Sequence, residues 1–189
     1  MDLSFMKNTI FEPGISRWTA EKLGSLDARS SEAFDKALNE MGQLSSKAQQ
    51  QTTPLTTADK IRAKDDILYI ACDGTGGTMQ GFLRLGRKYL FLYPDDNGSM
   101  IEKDTMCLLD FYVHETLQRQ GLGLDLFRAA LKEEGLTPAE IAYDRPSPKL
   151  KPFLGKYFGL HNCLDQPNRF MVFKEHFEGA AKRSKQQAG

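Results

Sequence analysis

The sequence predicts a mixed α/β (α+β) domain, a single central mixed sheet flanked by helices. Three observations carry this. The chain is 189 residues long with 40% apolar and 26% charged residues, enough for one packed core and too apolar for wholesale disorder. Its hydrophobic period changes along the chain, from helical to strand-like and back. One run, Cys107-Leu108-Leu109-Asp110-Phe111-Tyr112-Val113, is nearly continuous rather than alternating, as in a strand covered on both faces.

The elements follow in order. The first thirty residues show no clear period. From Ser31, the expected N-cap, the positions Phe34, Ala37, Leu38, Met41, Leu44 and Ala48 follow the spacing of one buried helical stripe, which the run Gln49-Gln50-Gln51-Thr52-Thr53-Pro54 ends, since Pro54 disfavours helix in the residue before it. Ile67–Cys72 is a short apolar strand, and Asp73–Gly77 a glycine turn. Met79–Leu85 and Tyr89–Tyr93 are two further strands across a turn at Gly86-Arg87-Lys88, and their short connections imply antiparallel pairing. After the Cys107–Val113 strand comes Gln118-Arg119-Gln120-Gly121-Leu122-Gly123, then a helix whose stripe is Leu126, Phe127, Ala130 and Leu131, with Gly135 as C-cap. A strand at Glu140–Asp144, a helix capped by Ser147 and Pro148, and a last strand at Arg169–Phe173 complete the domain. The domain is expected over residues 1–177, with 178–189 as a polar, disordered tail.

Composition narrows the function. Lys plus Arg and Asp plus Glu both number 25, so the chain lacks the basic excess of a protein that coats nucleic acid or anionic membrane. No run approaches the roughly 18 apolar residues of a membrane span. Cys72, Cys107 and Cys163 are scattered and form no CxxC pair, and His114, His161 and His176 are equally dispersed. Neither a disulfide framework nor a metal site is expected, and a reducing cytosol fits.

The chemistry concentrates at the glycine loop. A strand leads into a loop whose glycines stand where a helix begins. The first turn of a helix carries N–H groups without internal partners and a partial positive charge. A phosphate can approach there closely, and Arg119 adds a fixed charge. The P-loop pattern fails because Gly123 is followed by Leu124 and Asp125, and the GxGxxG pattern lacks its third glycine. What remains is [Q/R]xxGx[G/A], filled by Gln118, Gly121 and Gly123. It resembles the coenzyme A pyrophosphate loop of GNAT-superfamily acyltransferases.

A closer resemblance runs through Leu108 to Glu115 and on into Gln118-Arg119. This stretch is similar to the α-tubulin lysine N-acetyltransferase family, whose pattern is close to C-[IL]-L-D-F-Y-[IV]-H-E-x-x-Q-R-x-G-x-G. Further blocks are Asp144-Arg145-Pro146-Ser147 with Lys149-Leu150 and Phe153-Leu154; Ser46-Lys47-Ala48-Gln49; and Asn168, Phe170, Val172 and Phe173. Together they cover most of residues 42–177, while the first forty residues carry little of the pattern. The resemblance implies a GNAT-like domain that moves acetyl from acetyl-CoA to a lysine of α-tubulin in the lumen of assembled microtubules. It also implies a monomer in the cytoplasm on the cytoskeleton, axoneme or cilium included, with neither nucleic acid nor membrane as partner. Two departures stand out. Pro152 lies where the family has a helix-compatible residue, which implies a kink or a later helix start. The Asp73–Gly77 turn is shorter than the family's insertion.

Residue by residue, the resemblance places acetyl-CoA on Phe111, Tyr112, Val113, His114, Gln118, Arg119, Gln120, Gly121, Leu122, Gly123 and Leu124, and on Ser147, Lys149 and Lys156. It places catalysis on Asp144, Cys107 and Gln49, with Arg145 beside the acceptor. The chemistry sets the demand. Near pH 7 only about one lysine in 2,500 is neutral, so a base is needed. Partial burial would raise Asp144 toward that role, and Cys107 is a second candidate base. Lys149, Lys151 and Lys156 are phosphate ligands or members of a solvated face. Direct transfer is expected over an acetyl-Cys107 route, with a strand N–H near Phe111–Val113 binding the thioester oxygen. Asp110 reads as a buried structural carboxylate, and Trp18 carries no functional signal. Two alternatives stay open: a GNAT-like enzyme for another protein or a small amine, and a non-catalytic domain that binds acyl-CoA or microtubules.

Overall fold

A computed structural model describes residues 11–95 and 97–178. The chain forms a seven-stranded sheet with strands in the order β1-β2-β3-β4-β5-β7-β6. The strands are β1 Gly14–Trp18, β2 Ile67–Cys72, β3 Met79–Leu92, β4 Ile101–Val113, β5 Ala142–Asp144, β6 Cys163–Asp165 and β7 Phe170–Phe173. The helices are α1 Ala20–Gly24, α2 Ala28–Ala48, α3 Ala58–Ala63, α4 Leu122–Glu134 and α5 Leu150–Phe158. Strands β4 and β5 pair in parallel, while β1/β2, β2/β3, β5/β7 and β6/β7 are antiparallel. This is the mixed sheet expected, with β4 in its centre. The chain divides into two compact units, one of residues 1–86 with 109–133, the other of residues 87–108 with 134–189.

In the first unit, the apolar stripe of α2 buries Phe34, Ala37, Leu38 and Met41 against Trp18, Ile61, Leu68, Ile70 and Phe82. Burying each large side chain contributes roughly 1.5–3 kcal/mol. The first thirty residues, blank in their period, supply β1 and its aromatic anchor. Trp18 packs with its ring tilted 41° to that of Phe34, centroids 5.0 Å apart, and donates its indole N–H to Ser16 Oγ at 2.8 Å. Helix α2 begins before Ser31. Asp27 is its N-cap, accepting from Ser30 N at 2.8 Å, while Ser31 Oγ accepts from Arg62. Its end falls where expected, at the start of the Gln49–Pro54 run: Gln49 is the C-cap and Gln50 turns left-handed with φ 56°. At the turn, Asp73 Oδ1 accepts from Thr75 N and Gly77 N, and Gly76 takes φ 70°.

The expected turn at Gly86 is absent, since β3 runs unbroken through it. Glycine is needed there for space, because a methyl would overlap the Asp66 carboxylate and lie 2.7 Å from Leu109 Cδ1. Asp66 itself is buried and paired with buried Arg84, whose Nε donates at 2.9 Å.

In the second unit, β5 is shorter than expected, and Pro138–Glu140 forms a 3-10 turn before it. Tyr143 and Phe173 meet edge to face at 6.0 Å, and the buried tyrosine donates to Pro138 O. Gln166 stands in for a strand partner, taking the Tyr93 N–H at 2.7 Å and donating to Tyr93 O at 3.1 Å. Helix α5 starts at Leu150 with Lys149 as its N-cap position, so Ser147 and Pro148 lie in the preceding turn rather than capping it. This answers the question raised by Pro152. It is the third helical residue, where no helical hydrogen bond is lost, and only the later start applies. Gly159, at φ 65°, closes the helix. The expected tail beyond residue 178 lies outside the described residues.

Candidate active site

The candidate residues fall into two groups, each within one unit. The first is the loop at the end of β4. His114 caps a 3-10 turn, Glu115–Leu117, through its Nδ1. Gln118 then folds back and donates to Val113 O at 2.8 Å. Arg119 takes φ 65° and Gly121 φ 86°, two left-handed residues that swing the chain into α4. The first intrahelical bond is Asp125 N to Gly121 O at 3.0 Å. The N–H groups of Leu122, Gly123 and Leu124 therefore point out of the helix end without intrahelical acceptors. Gly121 brings no side chain to cover them, and a Cβ built on it meets nothing within 4 Å. Arg119 and Gln120 are exposed, and Leu122 and Leu124 are half-buried. Gly123 rests over Phe111 Cζ, whose ring stacks on Phe127 at 6.0 Å. Tyr112, Val113 and His114 are buried, Tyr112 in the core against Phe82. Such a cradle of outward N–H groups fits a pyrophosphate.

The same unit holds Gln49 and Asp110. Asp110 is 4% exposed and accepts four hydrogen bonds. Its donors are Ser45 Oγ at 2.8 Å, Gln49 Nε2 at 2.9 Å, Thr56 Oγ1 at 2.7 Å and the Phe111 N–H at 2.9 Å. This matches the structural role expected of Asp110. It also removes Phe111 from the N–H groups considered for the thioester oxygen, since that N–H is committed. Ser45 and Thr56 went unnoticed in the sequence. The one signal for Ser45 was a hydroxyl four residues after Met41, on the buried face of α2.

The second unit holds Cys107, Asp144 and Arg145. Cys107 pairs in register with Ala142, and Leu108 with Tyr143, so the thiol lies on the strand beside Asp144. Cys107 is fully buried and its Sγ reaches Thr105 O at 3.5 Å. Burial pushes the thiol up to about 12, reinforced by the negative charge of Asp144 and opposed by Lys88 and Arg87. At pH 7 only about one such thiol in 100,000 is ionised. Asp144, at the end of β5, has a side chain 19% exposed, 3.9 Å from Arg145 Nε. Arg145 adopts φ 42°, and its N–H donates to Arg169 O at 3.0 Å. That contact ties the end of β5 to the turn before β7. Ser147 accepts the Leu150 N–H at 3.0 Å. Lys149 and Lys156 are exposed, the latter 5.1 Å over the Tyr157 ring.

The chain matches the family model described as "GNAT acetyltransferase, Mec-17" over residues 3–188, so the match reaches into the first forty residues as well. It is 46% identical over 145 residues to "Alpha-tubulin N-acetyltransferase 1" of Danio rerio, covering 75% of this chain and 48% of the relative. It is 44% identical over 142 residues to "Alpha-tubulin N-acetyltransferase" of Aedes aegypti, covering 74% and 52%. Against the "Alpha-tubulin N-acetyltransferase" of Phytophthora infestans (strain T30-4), identity is 46% over 127 residues, covering 67% and 70%. The chain thus spans about half the length of the first two relatives. The strand, glycine loop and helix described above all lie within the segment the family model matches, and the chain belongs to the Mec-17 family of GNAT acetyltransferases.

Proposed function

We propose that this protein transfers acetyl from acetyl-CoA to the side-chain amine of a lumenal lysine of α-tubulin in assembled microtubules. The observation that carries the cofactor half is the glycine loop. Gln118 clamps it to β4, Arg119 and Gly121 are left-handed, and three helix N–H groups face outward. These groups and Arg119 would hold the pyrophosphate of the donor, with Ser147, Lys149 and Lys156 offering further polar contacts to the coenzyme. The acceptor half rests on the relatives' names.

In the reaction the lysine nitrogen attacks the thioester carbon. The C–N bond forms, the C–S bond breaks, and coenzyme A leaves with the electron pair of that bond. Asp144 removes the proton that the amine must lose, assisted in its placement by Arg145. The buried, protonated thiol of Cys107 favours Asp144 as the base and favours direct transfer within a ternary complex over an acetyl-cysteine intermediate.

Incubation of the protein with labelled acetyl-CoA and assembled microtubules, followed by mapping of the label, tests the proposal. Label on one lumenal lysine of α-tubulin is expected. Label confined to other proteins or to small amines would redirect the acceptor. Binding of acetyl-CoA without transfer to any acceptor would reduce the chain to a binding domain.

A further inference from the structure

What Gln49 offers to an acceptor is decided by its neighbours. Its Nε2 lies 2.8 Å from Ser45 Oγ and 2.9 Å from Asp110 Oδ1. The Ser45 hydroxyl already donates to Asp110 Oδ1 at 2.8 Å, so it meets the Gln49 amide with a lone pair. Reversing the amide would set oxygen against the Asp110 carboxyl oxygen, so the network assigns the nitrogen inward. The two acceptors lie 2.8 Å apart, close enough for one amide N–H to be shared between them. The Gln49 carbonyl oxygen accepts nothing from the described residues and is not among the buried unpartnered atoms, so it faces outward.

Asp110 is itself held from two sides. Phe111 N–H donates to its Oδ1 and Thr56 Oγ1 to its Oδ2. The Thr56 loop is held in turn by Arg84 Nη1, which donates to Leu55 O at 2.6 Å while the same guanidinium pairs with Asp66. The loop also lies so close to α2 that a methyl at Gly42 would overlap the Thr56 carbonyl.

We propose that Asp110 is a positioning residue that locks the Gln49 amide with its carbonyl outward, making this position a hydrogen-bond acceptor for the N–H of the acceptor amine. The inference deepens the lysine-acceptor reading above and rests on it for the identity of the amine.

Two arms test it. The first needs no turnover. In 15N-labelled protein, the Gln49 side-chain amide, assigned by its loss in Gln49→Met, should exchange slowly with water and do so about tenfold faster in Asp110→Asn. The second uses an α-tubulin lysine peptide. Asp110→Asn and Gln49→Met should each raise its KM about tenfold at unchanged acetyl-CoA affinity, and the double variant should be no worse than either. A merely structural Asp110 would lower stability and acetyl-CoA affinity together. An unchanged amide exchange rate, or multiplicative losses in the double variant, would overturn the proposal. Should Asp110→Asn lose cooperative unfolding, Ser45→Ala removes one of the two Nε2 acceptors and is expected to shift the exchange rate in the same direction. Wild-type protein that acetylates no lysine would sink the acceptor reading alone, leaving the amide lock to the first arm.

Discussion

Asp110 and Cys107 stand three residues apart on β4 and are both buried, at 4% and 0% exposure, yet burial does opposite things to them. Asp110 is met by four donors from α2, the following loop and its own strand. A buried polar group so satisfied becomes a fixed point that orients what surrounds it. Cys107 Sγ meets the Thr105 carbonyl oxygen at 3.5 Å and a single backbone hydrogen bond from Lys88. Burial outweighs what Lys88 and Arg87 would do for a thiolate and pushes the thiol up to about 12. Depth alone therefore says little about chemistry; the donors that surround a group decide what it can do.

Removing the Asp110 carboxyl should have the largest effect. Asp110→Ala strands the hydroxyls of Ser45 and Thr56, the Gln49 amide and the Phe111 N–H, so a loss of roughly 3 kcal/mol or more is expected in urea unfolding. A loss below about 1 kcal/mol would mean that water replaces the carboxyl and that the contrast with Cys107 is overdrawn. Next comes Asp144→Asn, which should lower kcat about 100-fold or more with acetyl-CoA affinity unchanged, read by steady-state kinetics and calorimetry. A near-normal kcat would send the base role elsewhere. Arg119→Asn keeps a residue that tolerates the left-handed backbone and removes the charge, so acetyl-CoA should bind about tenfold more weakly. An unaltered affinity would take Arg119 off the coenzyme.

The smallest effect is expected at Cys107. Cys107→Ala should change activity by no more than a few-fold and leave the shape of the pH profile between about 6 and 9 intact, since the thiol does not titrate there. The sign of its effect on stability follows from the raised folded value. The proton is held more tightly in the folded chain, so the stabilisation is present below the unfolded value near 9 and is lost as pH rises toward about 12. Wild-type protein should thus lose stability across that alkaline range, and Cys107→Ala should show a flatter decline. A Cys107→Ala variant that abolishes turnover while folding normally would restore the thiol as a catalytic group.

Much of this was legible beforehand because it is local. The stripe Phe34, Leu38, Met41 read as a helix face, and the run Cys107–Val113 as a central strand, because period and continuity survive in one dimension. The glycine loop was legible because left-handed turns and bare helix ends need particular residues at particular spacings. Three misreadings share one cause. Gly86 was expected to turn the chain, yet serves the close approach of Asp66 and Leu109. Ser31 and Ser147 were expected to cap helices, yet Ser31 accepts from Arg62 and Ser147 accepts the Leu150 N–H through its own carbonyl. Small and polar residues serve several purposes, and only their neighbours choose among them.

The sequence by itself determined the fold class, the order of most elements, the glycine loop and the family resemblance, since each depends on residue type at short spacing. Tertiary structure alone decided that β1 anchors its aromatic core through Trp18, that Cys107 is held protonated, and that Gln49 turns its carbonyl outward. Those outcomes depend on groups from distant parts of the chain, such as Ser45, Thr56 and Asp110. Hydrogen bonding and desolvation act through distances of a few ångströms, which separation along the chain does not encode.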